Sequence, residues 1–452
     1  MNQQKQNELF IVYQGTLTNR LRYVVTTLFG ERLGLAPRIV QPGEAPTGNG
    51  HAVIGYGSSD SNPYHTIPAC GLLSEAGTDR PEPIVTHPDG YPVLFEDATQ
   101  PGQLLPFDML AATFWLISRY EEHQPFTPDD HGRFTAKHSL AGKHDLLLTP
   151  LADVWLLKLK EKLNTLFPSL QISLPTYRFL PTFDIDSPFA YRHKPWHIQY
   201  GGFVKALLKG RINEVRKRAG VLLGVTDDPF NTFDQLETLH AGKEQPILFF
   251  LMGRYNRYNK NPHPNNRAYM GLIRQLKETY PVGIHPSYET SDHPERLREE
   301  IRHFLSVTGE PVVRSRQHFL RFSFPGTYQE LVAAGITEEY SMGFAEQPGF
   351  RAGTAIPFRF YDLSEEKETP MMVYPVTIMD GTLRDYLTME PDEAQSLISK
   401  LAQTVKEHHG VFISLWHNES LDASARWKGW TNVYKHLVQC CTHFNQSQNI
   451  TP

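Results

Sequence analysis

The segment FLPTFDIDSPF, Phe179–Phe189, decides how the chain is read. An apolar stretch runs into two aspartates, Asp184 and Asp186, one residue apart, and stops at Pro188. Side chains at i and i+2 of a strand share a face, so both carboxylates project to the same side. Two like charges that close are tolerated when a cation sits between or beside them. Taken alone, the pair is explained as well by a turn or a helix cap at a strand end as by a metal or catalytic site.

The rest of the chain supplies the context. From about Thr176, strands and helices alternate. PILFFLMG, VGIH, PVVRSRQHFLRF, MMVYPVTIMD and VFISLWHN read as strands. RAYMGLIRQLKETY, ERLREEIRHFLSVTG, TYQELVAAG and DEAQSLISKLAQTVKEHHG read as helices, the last three each with a glycine at or just past the end. Such alternation implies parallel strands in a barrel or an open sheet. In these folds the working residues lie at the C-terminal ends of the strands. Here those ends carry Asp184 and Asp186, Arg254, His285, Arg316 with His318 and Arg321, Asp380, and His417 with Asn418. Loop composition by itself would favour glycines, serines and capping residues there.

Residues 1–175 read as a smaller unit of mixed structure. LFIVYQG and AVIGYGS are expected strands, LPFDMLAATFWLISRYEEH an amphipathic helix, and LADVWLLKLKEKLNTLF a second helix. PSLQISLPT reads as a linker, and no repeat or low-complexity tract interrupts the chain.

Composition bounds the function. The chain has 452 residues, 40% hydrophobic and 12% aromatic, which is globular and large enough for more than one domain. A net charge of -5 argues against a nucleic-acid partner. Cys70, Cys440 and Cys441 make neither a disulfide framework nor a zinc cage, so a reducing compartment is expected. No signal peptide is read at MNQQKQNELFIVYQ, and no apolar run is long enough to span a membrane. A cytoplasmic location is therefore expected.

The segments TFDID, ILFFLMG, VGIHPSYE, RSRQHFLRF and LWHN, in that order, resemble the motifs of the polysaccharide deacetylases, the NodB-homology carbohydrate esterases. The resemblance runs from about Tyr177 to the C-terminus. It implies an α/β fold: a distorted (β/α) barrel over residues 176–452, preceded by a mixed α/β N-terminal domain over residues 1–175. TFWLISRYEE and GFRAGTAIPF fit an uncharacterised bacterial branch of that family with its own N-terminal domain, for which the resemblance implies no activity.

The resemblance also implies roles. Asp184 would be the general base and Asp186 and His285 ligands of a divalent metal, most simply zinc. Arg316 would brace the base, His417 would be the general acid, and Asp380 would orient it. The family's second metal histidine is missing: Glu289 stands four residues after His285, and His318 is the other candidate for the third ligand. Tyr255, Tyr258, Tyr288 and Trp416 are expected to be exposed for stacking on sugar rings. The implied activity is removal of N-acetyl or O-acyl groups from a sugar or polysaccharide precursor. A DxD glycosyltransferase and a catalytically silent glycan-binding relative are the rivals. His131 and His138 read as loop residues, His408 and His409 as residues of a helix's last turn. The basic run from Lys205 to Arg218 reads as a solvated helix face, with an anionic glycan or lipid surface as the alternative.

Overall fold

The computed structural model describes residues 7–48, 50–57, 63–99, 102–422 and 425–446. The N-terminal part opens with β1 (Glu8–Tyr13), α1 (Asn19–Val25), β2 (Ala36–Val40), β3 (Ala52–Tyr56) and β4 (Thr66–Ile67). The four strands form a parallel sheet in the order β2-β1-β3-β4. Thr18 starts α1 by accepting a hydrogen bond from the Leu21 amide, an N-cap. A two-stranded antiparallel ribbon follows, β5 (Val85–Thr86) with β6 (Val93–Leu94). Then come α2 (Met109–Ile117), α3 (Leu140–Lys143) and α4 (Leu151–Leu166).

The α2 helix differs from the sequence expectation. Every residue of MLAATFWLI is buried, so it has no wet face. It packs against α1, α4, β6 and a strand of the second sheet. A helix apolar on nearly all sides belongs inside a core.

The second sheet begins at β7 (Arg178–Ile185), followed by α5 (Trp196–Leu208), α6 (Ile212–Leu222), α7 (Phe233–His240) and β8 (Ile247–Leu251). Next are α8 (Arg267–Lys277), β9 (Val282–His285), α9 (Pro294–Thr308), β10 (Arg314–Ser315), α10 (Gly326–Ala333) and β11 (Glu338–Glu339). The chain ends with β12 (Phe358–Asp362), β13 (Lys367–Val373), β14 (Ile378–Met379), α11 (Pro391–Glu407), β15 (Val411–His417) and α12 (Trp430–Gln446). The nine strands run in the order β12-β13-β11-β10-β9-β8-β7-β15-β14. Neighbours are parallel except in the β12–β13 hairpin.

The sheet curls around a small inner core in which Leu180, Phe249 and Leu415 of the adjacent β7, β8 and β15 meet Tyr340, just past β11, and Val376, between β13 and β14. It is not a closed barrel: among the described residues no strand pairs β14 with β11 or β13. The seam is bridged by irregular chain, with the Val376 amide donating to the Met342 carbonyl at 2.8 Å. Two expected strands are shortened. PVVRSRQHFLRF pairs only at Arg314–Ser315, then leaves the sheet through a tight turn in which Phe319 and Leu320 have φ of 62° and 50°. MMVYPVTIMD is split into β13 and β14 around Pro375, which has no N–H to give a ladder.

One continuous apolar core runs through both parts of the chain. A buried ion pair and buried hydrogen bonds link them, each anchored by further pairs within the N-terminal part. Arg351 Nη2 meets Glu122 Oε2 at 2.5 Å, and Arg119 donates to both Glu121 and Glu122 at 2.7 Å. Asp153 accepts from Arg32 at 3.1 Å, from the Thr354 hydroxyl at 2.6 Å and from the Ala355 amide at 2.7 Å. These contacts give TFWLISRYEE and GFRAGTAIPF a structural role: the two segments are bolted to one another.

Candidate metal centre and active site

The alternation of β7 sorts its side chains. Phe179, Phe183 and Ile185 join the outer core, and Leu180 the inner one. Asp184 and Asp186 lie in the same register as Leu180 and line one cleft at the strand's C-terminal end. Asp184 is 3% exposed. Arg316 donates to its Oδ1 at 3.0 Å and also to the Tyr340 carbonyl at 3.0 Å. The guanidinium lies 4.7 Å from the Phe249 ring centroid. Arg316 is thus the cation that the close carboxylate pair requires, held in a fully buried place.

Asp186 faces two imidazoles. His285 Nε2 is 3.2 Å from its Oδ1, and His318 Nε2 is 3.3 Å from its Oδ2. Asp186, His285 and His318 bring one ligand atom each within 4.8 Å of one another. The other ring nitrogens are occupied elsewhere. His285 Nδ1 is 2.6 Å from the Arg316 carbonyl, and His318 Nδ1 is 3.3 Å from Asn259 Oδ1. Each Nδ1 therefore carries the proton in the neutral ring and each Nε2 keeps its lone pair toward Asp186, the arrangement of metal-binding histidines. Asp186 Oδ1 is also a buried oxygen with no hydrogen bond of good geometry. Without a cation, buried oxygen and nitrogen lone pairs would face one another, so the residues present fit a divalent metal. Burial opposes charge on Asp186, but the facing His318 and His285 outweigh it and hold the carboxyl well below its usual range. Burial pushes His318 down, toward the neutral form, whereas for His285 burial is outweighed by the Asp184 and Asp186 charges, which raise it.

The sequence left the third ligand open between His318 and Glu289. The structure places His318 against Asp186. Glu289 is one shell out, with its oxygens taken by Asn256 Nδ2 at 2.6 Å and Asn259 Nδ2 at 2.8 Å. Asn259 thus links Glu289 to His318. It is packed so closely that a Cβ on Gly253 would lie 2.7 Å from its Nδ2 and 2.4 Å from Ser287 Cβ.

Across the cleft, Asp380 holds His417 twice. It accepts from the His417 amide at 2.9 Å and lies 2.8 Å from Nδ1. The free Nε2 is 3.8 Å from Asp186 Oδ2. Burial would lower the His417 pKa, but Asp380, with Asp186 and Asp184 beyond it, raises it to about 10. The ring is an imidazolium at neutral pH, with one N–H spent on Asp380 and one aimed into the cleft.

The cleft is about 430 Å³. Its aromatic lining differs from expectation. Trp416 is fully buried, because alternation along β15 turns it away from His417 and onto Tyr434 of α12. Tyr258 lines the cleft but stacks on Tyr288 at 3.9 Å, and Tyr255 lies against Lys194 and Lys260 instead. Phe319, Tyr386 and Trp427 complete the wall and were not singled out by sequence. Neither was Arg133, which reaches the cleft from the N-terminal part and donates to the Phe319 carbonyl at 2.8 Å. His131 beside it lies 3.1 Å from the Tyr288 hydroxyl. No local motif announces these residues, because their place depends on how the two parts dock.

Among protein families, a family of unknown function (DUF7033) matches residues 10–168. No curated protein sequence matches the chain. Among solved structures, the chain is similar to a protein described as a polysaccharide deacetylase from Mycobacterium smegmatis, with 14% identity and a TM-score of 0.36 over 62% of this chain and 93% of that one. It is also similar to an allantoinase, with 11% identity and a TM-score of 0.36 over 60% and 84%. A polysaccharide deacetylase from Bacillus cereus shows 13% identity and a TM-score of 0.28 over 60% and 88%. At these scores the function has to be read from the site itself.

Proposed function

We propose that the protein is a metal-dependent hydrolase that removes N-acetyl or O-acyl groups from a sugar or polysaccharide precursor. One observation carries the reading: an Asp–His–His cluster lies between two charge-paired groups, Asp184 with Arg316 and His417 with Asp380. Asp186, His285 and His318 would hold the cation, which when bound supplies polarisation of the acyl oxygen and of the attacking water.

The chain's own groups do the rest. Arg316 fixes Asp184 Oδ1, leaving the other oxygen to accept a proton from water as its oxygen bonds to the acyl carbon. His417 Nε2 donates its proton to the departing amine nitrogen or alcohol oxygen as the bond to the acyl carbon breaks, giving a carboxylic acid and the freed sugar. Asp380 steadies the imidazolium before transfer. A DxD glycosyltransferase would need its carboxylates open to a nucleotide-bound metal. Here Asp184 is taken by Arg316 and Asp186 is flanked by His285 and His318.

The test is acetate release from N-acetylated sugars by zinc-loaded protein. Asp184→Asn and His417→Ala are each expected to retain zinc and to lose about 10²–10⁴ in rate. Full activity in either variant refutes the assignment.

A further inference from the structure

Among the described residues, ten of the thirteen exposed large hydrophobic side chains fall between Trp196 and Val225. This stretch is the helical hairpin α5–α6, reversed at Gly210, whose φ is +65°. Trp196, Tyr200, Val204 and Leu208 follow one another at i+4 and form a single stripe along α5. Trp196 is 73% exposed and Leu208 83%; beyond α6, Leu223 is 79% exposed. The stripe is not a sign of a loosely attached segment. Arg218 pairs with Glu214 at 3.0 Å and lies over the Tyr191 ring at 4.7 Å. It crosses α5 at Gly202, where a Cβ would meet Arg218 Nη1 at 2.3 Å. At the root, Asp228 accepts from the amides of Ala190, Tyr191 and Arg192 at 2.6, 3.0 and 3.1 Å.

The charge of the hairpin opposes that of the chain. Between residues 196 and 225 there are six Lys and Arg and one acidic residue, Glu214, in a protein of net charge -5. Lys205, Lys209, Arg211, Arg216 and Lys217 are exposed beside the apolar stripe. Three occupants compete for such a face. A second copy would cover the stripe but bring two basic surfaces together. An anionic glycan would neutralise the charge and could cover Trp196 and Tyr200, but would leave the aliphatic Val204, Leu208 and Leu223 in water. A bilayer carrying anionic lipid answers both features at once, with apolar side chains at the acyl boundary and cations among the headgroups.

We propose that the α5–α6 hairpin docks the protein on anionic membrane surfaces. The claim does not depend on the chemistry of the cleft. The hairpin's root nevertheless adjoins it: Lys194 Nζ donates to Ser187 Oγ at 2.6 Å, and Ser187 follows Asp186.

The experiment uses the full chain with phosphatidylcholine vesicles, with and without phosphatidylglycerol. Trp196 is a built-in reporter, because Trp115, Trp155, Trp416, Trp427 and Trp430 are all buried. The expected result is co-sedimentation and a blue shift of tryptophan emission with phosphatidylglycerol vesicles only. Added salt should weaken binding, and each basic side chain removed should weaken it about fivefold, so Lys209→Gln with Lys217→Gln costs about 25-fold. Trp196→Ser with Leu208→Ser should abolish binding. Absence of binding to phosphatidylglycerol vesicles overturns the proposal, as does equal binding to neutral ones. So does a concentration-dependent dimer, seen in sedimentation velocity, that the Trp196→Ser, Leu208→Ser protein loses while wild type ignores vesicles. The charge substitutions lie on exposed side chains, so they test the proposal even if the double serine variant folds poorly.

Discussion

Asn259 offers the sharpest test of the metal centre, because it touches no proposed ligand atom directly and yet sets which nitrogen His318 presents. Its Oδ1 faces His318 Nδ1 at 3.3 Å and accepts from the Tyr288 amide at 3.2 Å. Its Nδ2 is spent on Glu289. In Asn259→Leu the His318 ring can relieve itself while no metal is bound, by moving its proton to Nε2 and donating to Asp186. With metal bound, Nε2 must be a lone pair, so the proton returns to Nδ1 and is left buried without an acceptor. A stranded buried donor costs about 1–3 kcal/mol, and here that cost falls only on the loaded state. The 3.3 Å contact is long, which favours the lower end. Affinity for zinc should therefore fall about tenfold, near the bottom of the range for residues that orient metal ligands. Competition of purified protein with a chromophoric zinc chelator measures this directly. Glu289→Gln still accepts from Asn259 and should change affinity less than threefold, since about 0.6 kcal/mol separates threefold effects. Unchanged affinity in Asn259→Leu would refute the argument. A larger loss in Glu289→Gln than in Asn259→Leu would move Glu289 into the coordination set.

Three further outcomes follow from the same structure. Arg316→Met leaves Asp184 a buried, unpaired charge and should reduce the unfolding free energy by about 3–5 kcal/mol in urea, with most of it recovered by adding Asp184→Asn; a loss below about 1 kcal/mol would show that the carboxylate finds solvent. His417 has its pKa raised to about 10, so it stays protonated through neutral pH and its deprotonation should set the alkaline limb of activity. Asp380→Asn removes the main raising charge and should shift that alkaline limb to lower pH in kcat profiles; an unmoved limb would exclude His417 as the acid. His240 is fully buried between the Glu244 carbonyl and the Tyr434 hydroxyl, and burial lowers its pKa to about 4. The unfolded chain then binds the extra proton first, so this contribution is complete above the unfolded value near 6.5 and is lost as pH falls toward 4. Between pH 7 and 4.5 wild type should lose about 2 kcal/mol more than His240→Gln, and equal losses would contradict the assignment.

What the sequence disclosed depended on whether a local period set the answer. Alternation along β7 put Asp184 and Asp186 on one face, and that needs no tertiary information. The strand ends carrying His285, Asp380 and His417 were legible for the same reason. Trp416 was misjudged although the same rule decides it: a neighbour of His417 on a strand must face the other way, onto α12. The position of His318 beside Asp186 was not legible from a strand period. PVVRSRQHFLRF reads as one strand through His318, yet the strand has already ended at Ser315, and a turn with Phe319 at positive φ swings the imidazole back toward Asp186.

Contacts between distant segments had no such signal. Arg133, Asn259 and the Glu122–Arg351 pair are ordinary residues whose meaning comes from what they dock against. Their arrangement assigns the N-terminal part a physical task at the cleft. Arg133 braces the carbonyl of Phe319, and Arg321 reaches back to the His131 carbonyl at 2.7 Å. The turn that aims His318 is therefore clamped from the N-terminal side, by side chains rather than by sheet hydrogen bonds. The buried pairing of Glu122 with Arg351 fixes the same part against the chain beyond β11, where Arg351 also donates to the Gly343 carbonyl at 2.9 Å. A turn outside the sheet that carries a proposed metal ligand needs such external support, because its backbone has left the ladder that holds Asp184, Asp186 and His285.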